Sequence, residues 1–137
     1  MMVREVMTNG IEIVQSEESV TQVAKKMRDL GVGALPVARD ERIVGMVTDR
    51  DIVLRVCAEG SDPNMTTVGE AATDAFVHCR ADEAVADAAE RMENHQVRRM
   101  PVLDEEQRLV GMLSLGDLAR SEAPEATAAL VGVSRDG

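Results

Sequence analysis

Residues 3 to 53 of this chain recur 65 positions further on. Val3, Glu5, Thr8, Glu18, Val20, Ala24, Met27, Val32, Pro36, Val37 and Glu41 fall on Val68, Glu70, Thr73, Glu83, Val85, Ala89, Met92, Val97, Pro101, Val102 and Glu106. Skipping Gln107 extends the match, so that Arg42, Val44, Gly45, Met46 and Asp51 fall on Arg108, Val110, Gly111, Met112 and Asp117. A single offset placed inside a charged turn marks a duplication. In a chain of 137 residues neither half alone could bury much apolar surface, so one compact unit or two small halves that share a core are expected.

Each copy carries the same local signals. A short strand is expected around Ile11 to Val14 and Phe76 to Cys79. A helix follows, with Ser19 and Gln22 at capping-box spacing and Val20, Val23, Ala24, Met27 and Leu30 on one face. Val85, Ala88, Ala89 and Met92 repeat that face. Strands then contain Leu35-Pro36-Val37 and Met100-Pro101-Val102, where a proline suggests an edge strand. Charged turns lead to Ile43 to Val47 and Leu109 to Leu113, and a second helix closes each copy, with Ile52, Val53 and Val56 apolar in the first. The order is β-α-β-β-α, twice, an α/β fold. Turn residues without apolar period, among them Gly60 and Asp62-Pro63-Asn64, divide the copies. The expected domains are residues 1–60 and 68–121, a linker over 61–67 and a tail over 122–137, with an Ala-rich helix over 123–131 and frayed residues from Ser134.

Composition narrows the function. Phe76 is the one aromatic residue, so no aromatic platform awaits a base or sugar ring. The formal charge of −10 opposes nucleic-acid phosphates and anionic membrane surfaces. The first ten residues do not read as a signal peptide, and the longest apolar stretch, Val32 to Ala38, is too short to span a bilayer, which points to the cytoplasm. Cys57 and Cys79 have no disulfide or metal spacing; two buried thiols are expected, with a redox pair as the rival. No nucleophile motif, phosphate loop or complete dinucleotide fingerprint is present, and Gly31-Val32-Gly33 stops short of one. The chain does not read as an enzyme.

Two units of this order, each with a Pro-Val strand followed by Gly-apolar-apolar-Thr/Ser-x-x-Asp, resemble the tandem CBS-domain pair, or Bateman module, over residues 1 to 120. Gly45-Met46-Val47-Thr48-Asp49-Arg50-Asp51-Ile52 carries the pattern most fully. Asp62-Pro63-Asn64 and His95-Gln96-Val97-Arg98-Arg99 resemble the free-standing two-CBS proteins of actinobacteria linked to hypoxic and dormancy responses. The resemblance implies two units about a pseudo-twofold axis and clefts for adenosine derivatives such as AMP, ATP or S-adenosylmethionine, with no required cofactor or metal; a homodimer is expected because sheets and short helices of this size leave apolar faces for a two-fold partner. The resemblance assigns Thr48, Asp49, Arg50 and Asp51 with Val77, His78, Arg98 and Arg99 to one cleft. Ser114 and Asp117 with Thr8, Ile13, Gly33 and Ala34 form the other, which has no cation in its motif.

Thr48-x-x-Asp51 and Ser114-x-x-Asp117 also have the spacing of a helix capping box, a structural role that can coexist with ligand binding. In the ligand reading a carboxylate accepts two ribose hydroxyls while Arg98 and Arg99 meet phosphate. In the other they are surface charges. The sequence therefore supports a stress-response sensor that signals through its dimer surface to a downstream protein, with a ligand-free scaffold as the alternative.

Overall fold

The structure, a computed structural model, describes residues 1–121; the expected tail helix and frayed end lie outside them. The chain forms two compact units, one of Glu12–Phe76 and one of Met1–Ile11 with the chain from Val77 onward. Each repeat therefore lends its opening segment to the unit that holds the body of the other.

In the first unit, β1 (Val14–Gln15), β2 (Ala34–Arg39) and β3 (Arg42–Thr48) form a sheet in the order β1-β2-β3, with α1 (Val20–Leu30) and α2 (Asp49–Ile52) flanking the hairpin in sequence. Beyond α2 the helix widens into a π turn over Val53–Cys57, and α3 (Val68–Ala71) comes from the opening of the second repeat. The second unit holds β4 (Cys79–Arg80), α4 (Val85–His95), β5 (Arg99–Leu103), β6 (Leu109–Ser114) and α5 (Leu115–Ser121), with strand order β4-β5-β6. In both sheets the first pair is parallel and the second antiparallel.

The exchanged segments dock through the same backbone bonds in both units. Val68 N donates to Glu18 O and Gly69 N to Ser16 O; Val3 N donates to Glu83 O and Arg4 N to Ala81 O. Val3 and Val68 are fully buried, each in the core of the unit it joins. Burying a valine in this way contributes about 1.5 to 3 kcal/mol, which anchors a short segment with little regular structure.

Helix boundaries follow the sequence. Ser19 Oγ accepts from Gln22 N at 3.2 Å and Gln22 Oε1 from Ser19 N at 3.3 Å, the expected capping box, and Gly31 ends α1 at φ +67°. In α4 the cap position is Ala84, whose side chain offers no acceptor. Of the expected α1 face, Val20, Val23 and Met27 are buried while Ala24 and Leu30 are exposed, so the stripe is narrower than its apolar spacing. Val85, Ala88, Ala89 and Met92 are all buried.

Three expectations need correction. The first strands begin only at Val14 and Cys79, because the residues before them carry the chain from one unit into the other. Pro36 and Pro101 lie on central strands, not edges. Their register partners Met46 and Met112 turn their backbone groups the other way, exchanging N–H···O bonds of 2.8 to 3.0 Å with Thr73 and Thr8. Each proline thus faces a position of the antiparallel ladder that asks for no N–H donor, and the parallel neighbour pairs only beyond it, at Val37 and Val102. Finally, Val53 is 55% exposed, so the second helix of the first unit buries Val56 but not the whole expected face.

Candidate functional site

The glycine identity between the repeats explains how each site is framed. A Cβ at Gly45 would lie 2.8 Å from Thr73 O, and one at Gly111 would lie 2.6 Å from Met7 Sδ and 3.1 Å from Thr8 O. At Gly45 only a bare backbone lets the exchanged segment cross β3 at this distance, and at Gly111 a Cβ would have to displace the Met7 side chain where the segment crosses β6. That crossing delivers Thr73 to Asp51 and Thr8 to Asp117.

Both Thr/Ser-x-x-Asp motifs form complete capping boxes. Asp51 N donates to Thr48 Oγ1 at 3.1 Å, and Thr48 N donates to Asp51 Oδ2 at 2.9 Å. Asp117 N donates to Ser114 Oγ at 3.1 Å, and Ser114 N to Asp117 Oδ2 at 2.9 Å. The structural role weighed from sequence is therefore real at both loops. It uses one oxygen of each carboxylate and leaves the other for a second task.

The second oxygens differ. Asp51 Oδ1 has the Thr73 hydroxyl at 3.4 Å, a long contact, and the Asp51 side chain is partly exposed. Asp117 Oδ1 accepts from Thr8 Oγ1 at 3.0 Å and also from Arg120, and the residue is 3% exposed. The expectation that the Asp117 motif lacks a cation is thus corrected, since Arg120 pairs with it one helical turn on.

Within the first unit, Gly33 and Ala34 sit beside the Thr48 loop. Asp49 N donates to Gly33 O at 3.0 Å, Ala34 pairs with Thr48, and a Cβ at Gly33 would be 2.9 Å from Asp49 Oδ2. Arg50 N donates to Asp49 Oδ1 at 2.8 Å. Ile13 precedes β1 in the same unit. Within the second unit, Arg98 and Arg99 hold the equivalent places beside Ser114: Leu115 N donates to Arg98 O at 3.1 Å, and Arg99 pairs with Ser114. Both arginines are exposed. Thr8, Val77 and His78 belong to this unit, and His78 O accepts from Arg91 Nη1 at 2.9 Å.

Sequence reasoning missed Thr73 and Arg120. Thr73 had a signal, because it is the repeat counterpart of Thr8. Arg120 had none, since Leu54 stands at the matching position of the first repeat.

In the second unit, Glu83 accepts from Nη1 and Nη2 of Arg91 and from Arg80 N. The Arg91 hydrogen bonds hold the Glu83 carboxyl below its ordinary range, and the same contact raises Arg91. Burial, and then the Glu83 charge, push the Cys79 thiol up to about 12. Cys57, expected to be buried, is exposed. A hollow of about 210 Å³ in the second unit is lined by Arg4, Arg80, Asp82 and Glu105 among others, and by no motif residue. Among the described residues no three His, Cys, Asp or Glu side chains gather as a metal-holding group, and no helix is long and apolar enough to cross a membrane.

A family described as CBS domain matches residues 3–57 and 68–123. Hypoxic response protein 1 of Mycobacterium tuberculosis is 43% identical over 118 residues, spanning 85% of this chain and 82% of the relative. A crystal structure of Hypoxic Response Protein I with two coordinated zinc ions superposes with a TM-score of 0.81 at 42% identity, covering 88% of this chain and 98% of that one. CBSX2 in complex with AMP superposes with a TM-score of 0.77 at 26% identity, covering 88% of this chain and 94% of that one.

Proposed function

This chain belongs to the CBS-domain family, and from that premise we propose that it is a cytoplasmic sensor in a stress response that binds an adenosine-type ligand of the AMP, ATP or S-adenosylmethionine class. Pairs of CBS domains are regulatory modules, and no catalytic step is assigned to this one.

The observation that carries the reading is the state of Asp51. Its Oδ2 is fixed by Thr48 N, which aims the carboxylate, while Oδ1 has only the 3.4 Å contact with Thr73. A ribose presents two neighbouring O–H donors, and a carboxylate offers about four lone-pair positions over its two oxygens. Asp51 has positions to spare and is partly open to solvent. Arg98 and Arg99, exposed and unlike the Gly33 and Ala34 of the other repeat, are the cations assigned to phosphate. The resemblance adds Val77 and His78 to this set, and gives Thr8, Ile13, Gly33, Ala34, Ser114 and Asp117 to the second copy of the site. AMP in the CBSX2 relative supports the adenosine class.

Signalling follows from linkage. A ligand that binds one arrangement of the protein better than another shifts the equilibrium by its differential affinity, and a downstream protein reads the shift at the dimer surface. Val53 and Met65, 55% and 80% exposed, are large apolar side chains in keeping with a homodimer.

A thermal-shift series across AMP, ADP, ATP, S-adenosylmethionine and NAD tests this directly. A ligand at one hundred times its dissociation constant stabilises by about 2.7 kcal/mol. With no Trp or Tyr in the chain, co-purifying adenine would also dominate the near-ultraviolet spectrum. No shift with any of the five, together with a ligand-free preparation, would favour the scaffold alternative.

A further inference from the structure

The two repeats differ at one position that bears on ligand number. Three residues after Asp117 stands Arg120; three residues after Asp51 stands Leu54. Asp117 already spends three acceptor positions: Thr8 Oγ1 and Arg120 on Oδ1, Ser114 N on Oδ2. Asp51 has the Thr48 N bond and the long Thr73 contact only. A ribose diol needs two free positions on one carboxylate, and of about four in all Asp117 retains one.

Resting on the adenosine reading above, we infer that Arg120 is a latch that closes the Asp117 half of the duplicated site, so that this chain takes its adenosine ligand at Asp51 alone. The pair is well placed for such a role. The Asp117 side chain is 2% exposed, so its carboxylate is held in place by Thr8 and Ser114, whereas Arg120 is 71% exposed and reaches it from solvent. Removing the arginine therefore opens an acceptor position without removing the bonds that orient Asp117. The distinction separates two otherwise matched motifs: both have the capping box, the exchanged threonine and the bare glycine, and only one has the arginine.

The test exchanges the repeats' own residues. Isothermal titration of AMP is run on the wild type, Arg120→Leu, Arg120→Gln and Leu54→Arg, with a ligand-free melting curve for each. The wild type is expected to bind one AMP per chain, and both Arg120 variants two. Leu54→Arg, which places a guanidinium one turn after Asp51, is expected to weaken binding roughly tenfold. The glutamine variant keeps a polar surface in case leucine impairs folding. One AMP per folded chain in both Arg120 variants, or weaker binding than wild type, would overturn the latch. Unchanged affinity in Leu54→Arg would also overturn it. Absence of AMP binding in all four proteins is a different result, which removes the adenosine reading and the latch with it.

Discussion

Thr8 and Asp117, 109 residues apart in the chain, are joined by a 3.0 Å hydrogen bond from the threonine hydroxyl to the aspartate carboxylate. The bond ties the opening of the first repeat to the motif of the second. Thr8→Val removes the donor at nearly constant volume and leaves a buried carboxylate with one partner fewer. We expect a loss of about 1 to 2 kcal/mol in urea unfolding, with Thr8→Ser restoring most of it. Equal stability of Thr8→Val and wild type would mean that the bond does not hold the segment.

The glycines beneath the crossing segments should not be equivalent. Alanine at Gly45 meets the Thr73 carbonyl at 2.8 Å, and backbone cannot step aside cheaply. Alanine at Gly111 first meets the end of Met7, which is flexible, although Thr8 O is 3.1 Å away. Overpacking of this kind costs about 1 to 3 kcal/mol. Gly45→Ala is expected near the upper end and Gly111→Ala near the lower, read from denaturation midpoints at unchanged m-value.

Acid should weaken the second unit through Glu83. A carboxyl held below its ordinary value of 4.5 in the folded state lends stability that is complete above that value and fades as pH falls through the lower folded value. Glu83→Gln should therefore cost about 1 to 2 kcal/mol at neutral pH, allowing for partial exposure of the pair, and progressively less below 4.5. Parallel stability–pH curves for wild type and variant would contradict the assignment.

The cysteines should behave as one reactive and one inert thiol. Cys57 is exposed, whereas Cys79 is buried with its thiol raised to about 12 and stays protonated. A disulfide-exchange reagent at mildly alkaline pH should label Cys57 promptly and Cys79 only after denaturation. Prompt labelling of both would revive the redox alternative.

The repeat made the order of elements legible, because apolar spacing and caps are local signals that each copy states independently. The segment exchange was not legible, since Val3 and Val68 look like any strand or helix starters until their bonds to Glu83 O and Glu18 O are seen. The prolines misled for a related reason. A missing N–H marks an edge only if the ladder would have used it, and at Pro36 and Pro101 the register places a pair that does not. The capping boxes that join Thr48 to Asp51 and Ser114 to Asp117 were readable from spacing. The Arg120 contact was not, because comparing one repeat with the other exposes what they share and passes over what one has alone.

The central claim is that Asp51 holds a ribose, and calorimetric titration of AMP into wild type and Asp51→Asn tests it most directly. Asparagine keeps an oxygen to accept from Thr48 N, so the capping box and the melting temperature should survive. It loses the anionic acceptor for two hydroxyls, a charge-assisted contact worth about 1.5 to 3 kcal/mol, which predicts a ten- to hundredfold weaker dissociation constant. Wild-type affinity in a stably folded Asp51→Asn would contradict the account.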